Sequence, residues 1–305
     1  MAAQKIIIAG GTGNLGKALV EWFSAKGDNC IVLTRRAIKP TTNSKVNYIQ
    51  WNPEHTGKWG EVLEGSDLLI NVCGARISDS NFEGFKASRI TPTRALVKAI
   101  NSCVNPPKVF ISASSVNIYP NDTGEIFNEK SAIGNSKYAI LCKEWEEAAK
   151  GINTDKCTVY LARIGTVITR DSIYTSFAEL VKKGVMFNLP DFYINYISSN
   201  DFSKAMEFIA TSRQPTYSAF NVCITKPVLY SELIATLKDI YGKKSLMKVP
   251  GIISKLAFRL KGIDPLFFEE NKQVHPELLK NLGFVFSDKD FKTRLQKLFT
   301  NGEYK

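Results

Sequence analysis

The chain has 305 residues, 44% of them hydrophobic and 23% charged, which is the balance of a globular protein with core enough for one large domain or a large and a small one. No apolar run reaches membrane-spanning length, the first strand starts almost at once with no room for a leader, and six scattered cysteines with only two histidines exclude a disulfide framework and a histidine-rich metal centre. The net charge of +11 is spread through every segment without a dense Lys/Arg run or interleaved aromatics, so it reads as a basic surface and disfavours nucleic acid as a partner.

Residues 5–9 form an apolar run expected to be a buried strand, and it breaks into Gly10-Gly11-Thr12-Gly13-Asn14-Leu15-Gly16. Three glycines spaced three apart between a strand and a helix are the fingerprint of a dinucleotide-binding turn. Gly10 permits the tight turn, Gly13 lets the backbone approach a pyrophosphate, and Gly16 lets the helix pack close to the sheet. The helix over 14–25 places Leu15, Ala18, Leu19, Trp22 and Phe23 on one face and offers its free N–H groups to phosphate. Gly27 ends it, and a second strand follows over 30–34.

That strand ends Leu33-Thr34-Arg35-Arg36. Enzymes that use NAD place a carboxylate here, about 20 residues past the glycines, for the ribose 2′-hydroxyl; enzymes that use NADP place an arginine. Arg35 and Arg36 therefore point to NADP(H), held with Thr34, and two guanidiniums suit a 2′-phosphate. Further strands are expected over 47–51, 67–74, 108–114, 158–164 and 219–223, and helices over 89–102, 137–150, 173–184 and 201–212. The fourth strand ends Cys73-Gly74-Ala75, small residues that leave room for a cofactor ring at the strand's carboxyl end.

Alternating strands and helices imply a doubly wound parallel sheet, an α/β Rossmann fold. After Leu229 the pattern becomes mainly helical, with helices over 231–241, 252–259 and 288–300, and Pro250 and Pro265 between elements. Residues 1–165 are thus expected to form the dinucleotide-binding domain, with 213–228 returning to its sheet. Residues 166–212 and 229–305 form a smaller cap or substrate region.

The chain resembles the extended short-chain dehydrogenase/reductase superfamily, and within it the epimerase family proteins carried under the labels cell-division inhibitor or sugar-nucleotide epimerase. The glycine motif is common to the superfamily. Trp51-Asn52-Pro53, Ser88-Arg89, Thr93-Arg94-Ala95-Leu96, Lys143-Glu144-Trp145-Glu146, Arg163-Ile164-Gly165 and the tail around Gln273-Val274-His275-Pro276 narrow it. The resemblance implies hydride chemistry by a Ser, a Tyr and a Lys four residues after the Tyr, in which the lysine makes the tyrosine a usable acid/base.

Ser114 and Ser115 end the fifth strand and Tyr138 lies on the following helix, but position 142 is cysteine. Lys143 is rotated by roughly 100° from the required face, so the expectation is Cys142 packed and Lys143 in solvent. A tyrosine without a cation beside its oxygen is a poor base at neutral pH. Tyr138 is read either as a ligand-facing group or as an aromatic on a partly buried face. Residues 196–201 resemble a Trp-Ile-His-x-Asp-Asp stretch of relatives, with Ser198 and Asn200 replacing His and Asp. Asp201 is retained, equally explained as a helix cap.

The resulting reading is a cytoplasmic, NADP(H)-binding, epimerase/dehydratase-like oxidoreductase of the atypical extended type. Its substrate is an unknown small molecule with a hydroxyl or carbonyl, and Ser115 and Tyr138 are the polar groups at the nicotinamide. The alternative is an NADP-binding sensor or interaction protein that has lost the acid/base machinery.

Overall fold

The computed structural model describes residues 3–37, 42–55, 57–75, 81–121, 124–169, 172–260, 271–287 and 290–300. Seven strands form one sheet: β1 (Lys5–Ala9), β2 (Asn29–Thr34), β3 (Val46–Gln50), β4 (Leu68–Asn71), β5 (Val109–Ser115), β6 (Thr158–Ile164) and β7 (Ser218–Val222). Their order is β7-β6-β5-β4-β1-β2-β3, and every neighbouring pair is parallel. The chain therefore winds outward from β1 to β3, then returns to the other side of β1 with β4. The carboxyl ends of β1 and β4 flank this reversal, which is where open parallel sheets build their ligand crevice.

Strand periodicity explains the layers. In β1, Ile6 and Ile8 face one side and Ile7 and Ala9 the other, all fully buried. Ile6 and Ile8 join Ile70 and Ile111 under Leu19 and Phe23 of α1 (Asn14–Ala25). Ile7 joins Leu33, Leu69 and Phe110 under Leu96 and Ile100 of α2 (Phe82–Ser102). The next helices are α3 (Lys137–Ala148), α4 (Ile173–Lys182) and α5 (Ser199–Ala210), and α5 adds Phe202, Met206 and Ile209 to the first face.

A second core lies outside the sheet. Tyr174, Phe177 and Val181 of α4 pack with Leu233 and Leu237 of α6 (Tyr230–Ile240), Phe258 of α7 (Gly251–Leu260) and Leu295 of the last helix. This region was expected to be mainly helical, and it also holds short strand pairs. Residues Val185–Phe187 run parallel to Met247–Val249, and Tyr193–Ile194 pairs antiparallel with Val228–Leu229. Pairs of two or three residues are too short to leave a periodic signal. Helix α8 (Glu277–Asn281) precedes α9 (Phe291–Thr300), whose Asp290 accepts from the Thr293 N–H at 2.7 Å. Residues 288–289 of the expected last helix, and Pro265, lie outside the described residues.

Most boundaries fall within two residues of expectation, and three features of the element ends have a visible cause. Helix α2 starts at Phe82 rather than 89, capped by Asn81, whose Oδ1 accepts from the Gly84 N–H at 2.8 Å. Strand β4 ends at Asn71 because its own side chain accepts from the Cys73 N–H at 3.1 Å and turns the backbone off the ladder. Helix α5 is capped by Ser198, not Asp201: Ser198 Oγ accepts from the Asp201 N–H at 3.1 Å. The buried Asp201 carboxylate instead accepts from the Ser287 N–H at 2.8 and 3.0 Å, tying the tail to α5. Asp201→Ala should therefore lower stability by about 1–3 kcal/mol, seen as a lower urea midpoint at unchanged slope. An unchanged midpoint would show that this tie contributes nothing.

Candidate active site

The turn from β1 into α1 leaves the helix start open. Gly13 is the N-cap residue with no side-chain hydrogen bond, and no acidic residue sits in the first turn. The leading N–H groups thus have no side-chain acceptor among the described residues, and the positive end of the helix dipole meets the crevice. The glycines have separate reasons. Gly10 has φ +84°, and a Cβ there would stand 2.9 Å from the Val72 and Cys73 backbone. A Cβ at Gly13 would meet only the Gly10 carbonyl, at 3.4 Å, so this side of the turn faces open space. At Gly16 it would lie 2.3 Å from the Gly10 carbonyl oxygen, so Gly16 closes the turn upon itself. The close approach to the sheet expected of Gly16 belongs instead to Gly11, where a Cβ would lie 2.5 Å from Val32.

Two connected clefts flank this turn. The first, of about 820 Å³, is lined by Gly10, Thr12, Gly13, Thr34, Arg35, Arg36, Trp51, Pro53, Glu54 and the Cys73–Ala75 run. Thr34 is buried at the end of β2, and its Oγ1 accepts from the Arg36 N–H at 3.3 Å. Arg35 and Arg36 are exposed. Neither has a carboxylate within ion-pair distance among the described residues, although Glu54 lines the same cleft. Trp51 forms part of the wall, fixed by its N–H to the Thr34 carbonyl at 2.9 Å and by an edge contact with Trp59 at 4.9 Å. Arg35 lies near Cys73, whose thiol burial pushes up to about 12 against the pull of that arginine.

The second cleft, of about 560 Å³, continues past Asn14, Leu15, Gly16 and Lys17 to Ser114, Ser115, Tyr138, Cys142 and Arg89. The sequence-derived polar groups do come together here. Ser115 Oγ accepts from the Asn117 N–H at 3.2 Å. Tyr138 is 4% exposed, with its ring edge-on to Phe82 at 5.9 Å. Cys142 is buried and Lys143 exposed, as the helical spacing requires. Burial, and the nearby Glu146, push the Cys142 thiol up to about 12, so it is a neutral packing group at physiological pH.

Behind the cleft stands a polar framework that the sequence did not reveal. Glu146, on the same α3 stripe as Tyr138 and Cys142, accepts from Arg163 Nε at 2.8 Å and Nη2 at 3.0 Å. Ser114 donates to the same carboxylate at 2.8 Å, so this serine is turned toward the framework and Ser115 is left as the cleft hydroxyl. Arg163 Nη1 also donates to the Tyr119 hydroxyl at 3.0 Å, which donates to Asn221 at 2.7 Å. A second set joins β4, α2 and α3: Asn71 Nδ2 and Trp145 Nε1 both donate to Thr93 Oγ1, at 2.8 and 3.1 Å.

Arg89, marked in the sequence only as part of the Ser88-Arg89 pair, has no role in the site predicted from it. Its guanidinium carbon lies over the Phe85 ring, 3.7 Å from the ring centre, in the second cleft. The register Phe85, Arg89, Thr93 along α2 was the available signal, an arginine inside a buried stripe. Gly74 makes room for it: a Cβ there would stand 3.0 Å from Arg89 Cζ, so the space expected for a cofactor ring beside Gly74 is taken by the guanidinium.

Glu146→Gln leaves Arg163 as an uncompensated buried cation and should lower unfolding free energy by about 3–5 kcal/mol in urea titration. A loss under about 1 kcal/mol would contradict a structural role for the pair. Gly16→Ala, which drives a Cβ into backbone, should both destabilise the fold and abolish dinucleotide binding. Wild-type binding by that variant would contradict the turn geometry.

Among the described residues no helix is long and apolar enough to cross a membrane, and no group of three His, Cys, Asp or Glu could hold a metal ion. The chain is similar to an epimerase family protein of Mycobacterium bovis, 26% identical over 295 residues and 94% of each chain. It is also similar to the chloroplastic epimerase family protein SDR39U1 homologue of Arabidopsis thaliana, 27% identical over 311 residues, covering 96% of this chain and 86% of that one. The human epimerase family protein SDR39U1, crystallised with NADPH, superposes with a TM-score of 0.80 at 18% identity, over 96% of this chain and 98% of that one. The model of the NAD dependent epimerase/dehydratase family matches residues 6–223, and with the seven-stranded sheet and its glycine turn already in place, the chain belongs to that family.

Proposed function

We propose that this chain binds NADP(H) across the two clefts and uses it on a small hydroxyl- or carbonyl-bearing substrate. The observation that carries this is the pairing of an uncapped α1 N-terminus with two exposed arginines that have no carboxylate partner among the described residues. Arg35 and Arg36, beyond Thr34, suit the 2′-phosphate. The Asn14–Gly16 N–H groups suit the pyrophosphate. Cys73, Gly74 and Ala75 line the floor between the two clefts. A related human protein crystallised with NADPH supports the same cofactor choice.

When bound, NADP(H) supplies or accepts a hydride. The chain's own groups then do the rest. Ser115 orients a substrate oxygen, Tyr138 is the acid/base candidate at that oxygen, and the buried α2–α3 contact keeps water out. Cys142 stays neutral and adds no charge. That observation favours, as a second reading, a protein that binds the cofactor with little turnover. The substrate is a small molecule, with no membrane or nucleic-acid partner, and the setting is cytoplasmic.

Fluorescence titration should show NADPH binding more tightly than NADH. Replacing Arg35 and Arg36 by Ala should cost NADPH about tenfold or more, each charge-assisted contact being worth about 1.5–3 kcal/mol, with little change for NADH. Equal losses for both would refute the NADP assignment. NADPH oxidation across aldehydes, ketones and nucleotide sugars, abolished by Tyr138→Phe, supports the enzyme reading; tight binding with no oxidation supports the second.

A further inference from the structure

Arg89 has an unusual hydrogen-bond account. Its Nη1 donates to the Phe85 carbonyl at 3.0 Å and to Ser88 Oγ at 3.2 Å, and its Nη2 donates to the Ala75 carbonyl at 3.1 Å. A guanidinium carries five N–H donors. Its Nε–H and one Nη2 hydrogen have no acceptor among the described residues, and no carboxylate pairs with it there. Burial pulls its pKa down to about 10, so the group remains a cation at neutral pH. A largely desolvated charge with two spare donors, lining a cleft, is built to meet an acceptor that the described residues do not supply.

The position of this charge gives it meaning. Arg89 lines the cleft shared by Ser115, Tyr138 and Cys142, on the far side of the glycine turn from Arg35 and Arg36. It is near enough to the Cys142 thiol for the two to influence each other electrostatically. Helix α3 lines this cleft with no lysine: Cys142 is buried, Lys143 faces solvent, and Lys137 lies over the Phe82 and Tyr138 rings at 5.2 Å. Helix α2 does supply a cation, Arg89, seated over Phe85 and admitted by Gly74.

We propose that Arg89 is the cation of the nicotinamide half of the cofactor site, with its spare N–H edge gripping the vicinal ribose hydroxyls there. The inference rests on the NADP(H) reading above. A guanidinium edge with two donors matches two neighbouring oxygens, which a single ammonium cannot do as well. Arg89 is thus a binding residue delivered from a different helix than the one expected to carry the charge.

The experiment compares two ligands by calorimetry: NADPH, which has a nicotinamide ribose, and 2′,5′-ADP, which contains only the adenosine half. Arg89→Met should weaken NADPH about tenfold to a hundredfold, since hydrogen bonds to a charged group are worth about 1.5–3 kcal/mol. The affinity for 2′,5′-ADP should stay within about twofold. Arg89→Lys, which keeps the charge and loses the fork, should show a smaller loss, again for NADPH alone. It decides the matter if the Met variant proves unfolded by circular dichroism. Equal losses for both ligands would mean that Arg89 only braces the Cys73–Ala75 loop, which borders both clefts, and would overturn the proposal. No loss for either would overturn it too. The Arg35/Arg36 variant must weaken both ligands. If it weakens neither, the NADP(H) reading itself fails, a result distinct from failure at Arg89.

Discussion

The geometry of the site depends on one desolvated ion pair. Arg163, near the end of β6, and Glu146, in the last turns of α3, are each about 8% exposed at the side chain and meet through two hydrogen bonds. Taking both charges out of water costs much of what their attraction returns, so such a pair fixes position more surely than it adds stability. What it fixes is the rotation and height of α3. Glu146, Cys142 and Tyr138 follow one another at intervals of four and so share a helix face. Pinning Glu146 to the sheet therefore decides that Tyr138 faces the cleft and that Cys142 is buried beside it. The same carboxylate draws Ser114 away from the cleft and leaves Ser115 in it.

A second constraint is the close approach of α2 to the loop after β4. Gly74 has no Cβ, and the Arg89 guanidinium takes that space. Thr93, one turn further along α2, gathers Asn71 from β4 and Trp145 from α3 into a single hydroxyl-centred knot. Thr93 in turn donates to the Arg89 carbonyl at 2.7 Å. The three elements that frame the second cleft are thus tied by neutral hydrogen bonds, within which one guanidinium is held with no carboxylate partner among the described residues. If Arg89 takes the role proposed for it, the charge of the nicotinamide half comes from α2 and not from α3, where position 142 is a buried cysteine.

Much of this was legible in the sequence wherever function depends on local spacing. Gly10, Gly13 and Gly16 announced the turn, the carboxylate-free end of β2 announced Arg35 and Arg36, and the helical period assigned Cys142 to the interior and Lys143 to solvent. Features that join distant segments were not legible. Nothing local in Glu146 or Arg163 marks them as partners, and the Asn71–Thr93–Trp145 knot draws on three elements. Arg89 was hidden because an arginine on a helix ordinarily reads as a solvated residue, and because the true start of α2 at Phe82, which sets its buried stripe, was placed too late. The close contact with Val32 falls at Gly11, which no spacing singled out, while Gly16 meets the Gly10–Gly11 backbone, because spacing alone does not say which neighbour a missing Cβ would have struck.

The central claim is that one cofactor lies across both clefts, held at its ends by arginines from different elements. A crystal structure of the NADPH complex tests it most directly. The account predicts the 2′-phosphate at Arg35 and Arg36, the pyrophosphate over the Asn14–Gly16 N–H groups, and the nicotinamide ribose within hydrogen-bond reach of Arg89. An adenosine 2′-phosphate pointing away from both arginines, or a nicotinamide half that leaves the cleft of Tyr138 and Arg89, would contradict it.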